Sequence, residues 1–279
     1  MKMVFLGLLK MIGRRVHERD DSNMEEPDAA LKNGILAYLA SKGIPAEEVP
    51  CTECKTPDIL ICRDAPDETL LEIKQKEDDK DEIAELDSDL EAGGIVSRSK
   101  SLSNWNRADT VIRDGIRQMK SIDPDKKALR VVWVHCIGHY CHVYADRLKA
   151  TIYGTQKLVS ENIDSLITCF YFHESTFYRR RNDLDGVVVW DENEAWLYLN
   201  DHSPRFEQML GSRFAKIFEQ GLHYPAQFAG EPHILFHDGT EPRGNDDVAL
   251  AYLRKKYSLS HLQRMDLGHH SVMMRRPES

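Results

Sequence analysis

Between Asp28 and Lys42 the apolar residues Leu31, Ile35, Tyr38 and Leu39 recur every three or four positions, and Gly43 and Pro45 follow. This predicts an amphipathic helix with its stop. Pro57 to Arg63 and Thr69 to Lys74 are short β-prone runs, and the turn-rich Asp64-Ala65-Pro66-Asp67-Glu68 separates them. They predict an antiparallel hairpin. Residues 77 to about 104 are acidic, then Gly- and Ser-rich, and read as a long loop or an insert ordered on binding.

A second helix is predicted from Ala108, Val111, Ile112, Ile116 and Met119. Leu129 to Ile137 is a near-continuous apolar run, the pattern of a buried central strand. Further strands are expected at 167–173, 187–190 and 195–199. After Ser203-Pro204, the residues Phe206, Met209, Leu210, Phe214, Ile217 and Phe218 predict one amphipathic helix, and Val248 to Tyr257 another. The last dozen residues read as a mobile tail. The fold class expected is α/β, a mixed central sheet flanked by helices with a C-terminal helical extension. Its parts would be an N-terminal amphipathic segment (1–24), a core (25–200) holding the acidic insert 77–104, and the extension with its tail (201–279).

Composition narrows the function class. The chain has 279 residues, 41% hydrophobic and 30% charged, enough to bury a substantial core. No run approaches a membrane span, and the N-terminal apolar stretch has its Arg residues after it, the reverse of a secretory signal. A cytoplasmic protein with no membrane partner is the expectation, and its six cysteines are read as reduced thiols. The net charge of -9 disfavours phosphate ligands until it is located: nine acids and only Lys80 lie between Glu77 and Glu91, leaving -1 for the rest. Basic runs at Lys126-Lys127 with Arg130, at Arg179-Arg180-Arg181 and at Arg254-Lys255-Lys256 are therefore free to form solvated faces or phosphate contacts.

Chemistry is concentrated in the hairpin. Side chains alternate along a strand, so Glu72 and Lys74 share a face while Leu71 and Ile73 enter the opposite layer. Asp58 comes beside Glu72 if the hairpin registers as its turn indicates. Two carboxylates beside one ammonium suit metal-assisted phosphoryl transfer, the acids holding a hard cation and the Lys serving the attacking water.

Pro57-Asp58 followed by Glu72-Ile73-Lys74, in the order helix, hairpin, helix, buried strand, resembles the signature of the PD-(D/E)xK nuclease superfamily, over about Asp28 to Ile137. The resemblance implies a restriction-endonuclease-like fold and a nuclease that hydrolyses phosphodiester bonds. It implies Mg2+ or Mn2+ at Asp58 and Glu72, with the Ile73 carbonyl joining them, and Lys74 on the water. Nucleic acid would be the partner, DNA before RNA, and homodimerisation is left open. Many relatives add an acid from the first helix. Asp28 is the candidate here, with Glu25 one turn earlier, and a helix N-cap is the other reading of Asp28. Gln118 matches a Gln that some subfamilies place on the following helix, although the accompanying Tyr is replaced by Ile122.

Other chemistries fit less well. Cys51 and Cys54 have half a zinc knuckle's spacing, with Cys136, His139, Cys141 and His142 as the potential other half. A catalytically inactive nucleic-acid-binding or protein-interaction module with the same fold is the alternative to an enzyme. No Gly-x-Ser-x-Gly elbow and no Walker or dinucleotide glycine pattern occurs. Asp183-Leu184-Asp185-Gly186 lacks the remaining ligands of a calcium loop and reads as a turn.

Overall fold

The computed structural model describes residues 27–50, 56–102, 106–191, 193–218 and 220–274, the side chains of 27, 28, 106 and 107 excepted. The expectations for the N-terminal segment, Glu25, Cys51, Cys54 and the last five residues lie outside the described residues. In chain order the elements are α1 (Pro27–Ser41), β1 (Ala46–Glu48), β2 (Ile59–Ile61), β3 (Thr69–Lys76), α2 (Lys80–Glu91), β4 (Ile95–Ser101), α3 (Asn106–Ile122), β5 (Leu129–Cys136) and α4 (Cys141–Tyr153). There follow β6 (Gln156–Ser160), β7 (Ile163–Phe170), α5 (Thr176–Arg179), β8 (Gly186–Trp190), β9 (Ala195–Leu199), α6 (Phe206–Leu210), α7 (Arg213–Lys216), β10 (Leu222–His223), β11 (Ile234–Phe236), α8 (Asp246–Tyr257), β12 (Gln263–Met265) and β13 (Gly268–Met274).

The chain alternates between two compact units. The first takes described residues up to Gln75, then Arg107–Cys136 and Phe177–Gln227. Its sheet has the order β1-β2-β3-β5-β8-β9-β10. β1, β2 and β3 form an antiparallel meander. The Leu129 N–H donates to the Glu68 carbonyl and the Ile137 N–H to the Lys76 carbonyl, so β5 runs parallel to β3. β8 is parallel to β5 and β9 antiparallel to β8. The protein is thus mixed α/β, a mixed multi-stranded sheet flanked by helices.

Burial follows the pattern that predicted these elements. All eight residues of β5 are buried, as a strand covered on both faces requires. Leu31, Ile35 and Leu39 of α1 pack with Ile59, Ile61, Leu71, Val131 and Trp133 in one core. Each such side chain contributes about 1.5–3 kcal/mol by leaving water. Trp133 meets Trp190 edge to face at 6.4 Å across β5 and β8.

The second unit, Lys76–Asn106, Ile137–Thr176 and the described residues from Phe228, changes two expectations. The acidic stretch is not a loop. The Asp79 carboxylate caps α2 by accepting from the Asp81 and Glu82 N–H groups, and Leu86 is buried. Basic residues of β4 answer its acids, Lys100 at 2.6 Å from Glu82 and Arg98 at 3.4 Å from Glu85.

Nor are the described residues between 201 and 274 a purely helical extension. β10 joins the large sheet, and β11 and β12 are the edges of a second sheet, β11-β7-β6-β12. β13 pairs with β4 over seven residues, from Gly268 opposite Ser101 to Met274 opposite Ile95. Ladder bonds recruited these segments, and their partners lie far away in sequence. The single helix expected over 206–218 is two short ones, because the Ser212 hydroxyl accepts from the Ala215 N–H and starts a new helix. No helix among the described residues is long and apolar enough to cross a membrane.

Candidate active site

The meander sets the acids side by side. Ile59 lies opposite Leu71 and Leu60 opposite Leu70, so one further step places Asp58 opposite Glu72. The Asp58 N–H donates to the Leu71 carbonyl at 3.1 Å, and its Oδ2 accepts from the Ile73 N–H at 2.7 Å. The carboxylate is thereby fixed to the neighbouring strand. Leu71 and Ile73 pack into the α1-side core, leaving Glu72 and Lys74 on the other face. Lys74 Nζ lies 2.5 Å from Glu72 Oε1.

α3 closes over Glu72 at a glycine. A Cβ on Gly115 would stand 3.1 Å from Glu72 Cγ and 3.0 Å from Val132 Cγ2, so the residue's lack of a side chain is what lets the helix come this near. Glu72 is consequently 2% exposed, and among the described residues its Oε2 has no hydrogen-bond partner. Burial, then the negative charge of Asp58, pushes its carboxyl up to about 7 against the pull of Lys74 and Lys32.

Lys32 of α1 is a participant that sequence reasoning missed. Its Nζ lies 3.1 Å from Asp58 Oδ1 and 2.9 Å from Glu48 Oε1. Partial burial opposes its charge, but hydrogen bonds to Glu48 and Asp58 outweigh this and raise its pKa. The available signal was its position on α1 beside the apolar stripe, one residue after Leu31. Asp28, the expected acid of this helix, lies one turn before Lys32.

Gln118 and Ile73 are the remaining candidates. Gln118 lies on α3 three residues past Gly115, half-buried, and among the described residues it makes no side-chain hydrogen bond to Asp58, Glu72 or Lys74. The Ile73 N–H donates to Asp58 Oδ2, which places this residue beside the pair. Among the described residues no three of His, Cys, Asp and Glu converge closely enough to hold a metal ion. Cys136 and Cys141 are buried.

Several residues of the first two basic runs are engaged in the fold. Arg130 is fully buried, Lys126 pairs with buried Asp185 at 3.0 Å, and Arg179 pairs with Asp109 at 3.0 Å. Their spacing in sequence did not reveal these acids.

The cluster has the ingredients of a cation site. A buried carboxylate oxygen lacks a donor among the described residues, a second carboxylate stands opposite, and an ammonium is within contact. Hard divalent cations favour such oxygen donors, and two carboxylates with water complete the shells they prefer. No family model, curated protein or solved structure matches this chain.

Proposed function

We propose that this chain is a metal-dependent nuclease of restriction-endonuclease-like fold, hydrolysing phosphodiester bonds in nucleic acid. The observation that carries the reading is Glu72, a buried carboxylate with one oxygen unpartnered among the described residues, held opposite Asp58 and beside Lys74. Element order supports it, since α1, the β1-β2-β3 meander, α3 and the parallel β5 follow the plan that the Asp58…Glu72-Ile73-Lys74 motif implies.

Asp58 and Glu72 would hold Mg2+ or Mn2+, and the ion would neutralise charge developing on the phosphate and acidify bound water. Lys74, beside Glu72, would orient that water, and its ammonium would offset the phosphate's charge. Asp58 stays aimed because the Ile73 N–H holds Oδ2. Lys32 holds Oδ1 and steadies the acid between α1 and the meander.

Incubating labelled DNA and RNA with Mg2+, Mn2+ or chelator tests this. Metal-dependent cleavage is expected, lost in Glu72→Ala together with metal binding. In Lys74→Ala turnover should fall by roughly a hundredfold or more with metal binding retained. Each acid also has an ammonium against it, which favours a second reading, a structural ion network in a non-catalytic binding module. Nucleic-acid binding without cleavage, unchanged in Glu72→Ala, would establish that module and overturn the enzyme.

A further inference from the structure

In the second unit two imidazoles meet from positions 127 residues apart. His142, exposed on the first turn of α4, and His269, half-buried on β13, bring their Nε2 atoms to 3.4 Å. The rings stand at 73° with centroids 4.7 Å apart. That separation admits a long imidazole–imidazole hydrogen bond. It also equals the span of two ligands on one tetrahedral ion, since nitrogens each 2.0–2.1 Å from zinc lie roughly 3.3–3.4 Å apart.

Contacts independent of the pair hold both histidines. β13 is laddered to β4, with His269 opposite Lys100, and Lys100 Nζ is fixed over the Tyr140 ring at 4.2 Å and against Glu82. The start of α4 is held by the Asp78 carboxylate, which accepts from the His139 and Tyr140 N–H groups. The imidazoles are therefore presented to one another by the fold. The adjacent His270 belongs to the exposed face of β13, so strand alternation selects only one residue of the His-His pair.

We propose that His142 and His269 form a two-histidine site for a late first-row divalent cation of the Zn2+ class, with water completing the shell. Imidazole donors suit Zn2+ and its neighbours, whereas the carboxylates of the first unit suit Mg2+ or Mn2+, so the two sites differ in chemistry. The proposal is independent of the nuclease reading. An ion bound here ties the last described strand to α4 and links distant segments of the second unit.

Zn2+ titration of the full chain by calorimetry tests the site, with histidine 15N NMR on the same samples. Wild type should take up Zn2+ in the micromolar range, with Nε2 of His142 and His269 moving together. His142→Ala and His269→Ala should each lose that binding step or weaken it at least tenfold. His270→Ala should keep it, and circular dichroism would verify that all three variants fold. Equal Zn2+ uptake by wild type and both variants, or Nε2 signals that stay in place, would reduce the pair to a hydrogen-bonded contact and end the proposal.

Discussion

Glu72 on β3 and Asp185 just before β8 are both buried carboxylates of the first unit, yet their environments push them in opposite directions. Asp185 receives four donors. Lys126 Nζ at 3.0 Å and Ser203 Oγ at 2.6 Å meet Oδ1, while Arg205 Nη2 and the Arg130 N–H, both at 2.9 Å, meet Oδ2. Burial raises its pKa, but Lys126 and Arg205 more than offset this, and the net shift is downward. Glu72 has one ammonium in contact, a like charge opposite and an oxygen without a donor among the described residues, and its carboxyl rises to about 7. At similar depth, the number of donors decides whether an acid is a permanent anion that clamps the fold or a group poised to take a proton or a cation.

Removing the clamp is the most disruptive way to probe that contrast. Asp185→Asn leaves Lys126 and Arg205 facing a neutral group inside the protein, and the expected loss is about 3–5 kcal/mol in urea denaturation. A loss below 1 kcal/mol would mean that the four donors are satisfied elsewhere.

Glu72→Gln should act in the opposite sense. A carboxyl whose pKa rises from 4.5 to about 7 on folding stabilises the metal-free protein fully below pH 4.5, and that contribution disappears as pH rises through about 7. The advantage of Glu72→Gln over wild type should therefore grow between pH 4 and pH 8 by about 3 kcal/mol while turnover is lost. Parallel stability curves for the two proteins across that window would show that Glu72 does not titrate there.

Gly115→Ala sharpens the contrast most gently. Alanine's helix propensity favours the change by about 1 kcal/mol, while the new methyl crowds Glu72 and Val132 by a few tenths of an ångström. Stability should move by less than about 1 kcal/mol while turnover falls several-fold, since the methyl displaces the acid. Equal turnover in the variant would show that the site tolerates a shift of Glu72.

The hairpin was legible because its information is local. Alternation fixed which way Glu72 and Lys74 face, and the short turn fixed the register that sets Asp58 opposite Glu72. α2 was legible in part: Asp79 with Ile83, Leu86 and Leu90 carries a cap and a helical stripe, but the surrounding acids obscured it. β13 was not legible, because seven residues with two adjacent histidines become a strand only when β4 supplies the ladder.

By itself the sequence determined the alternation, the turn lengths and the helical stripes, and through them the α/β class and the placing of one acid pair with its lysine. Those properties act over a few residues, and backbone geometry enforces them wherever the segment lies. Only the tertiary structure decided that Lys32 reaches Asp58, that Gly115 lets a helix seal Glu72, that Arg130 is buried and that His142 meets His269. Each depends on segments remote along the chain arriving together, and burial and the count of donors exist only once they have.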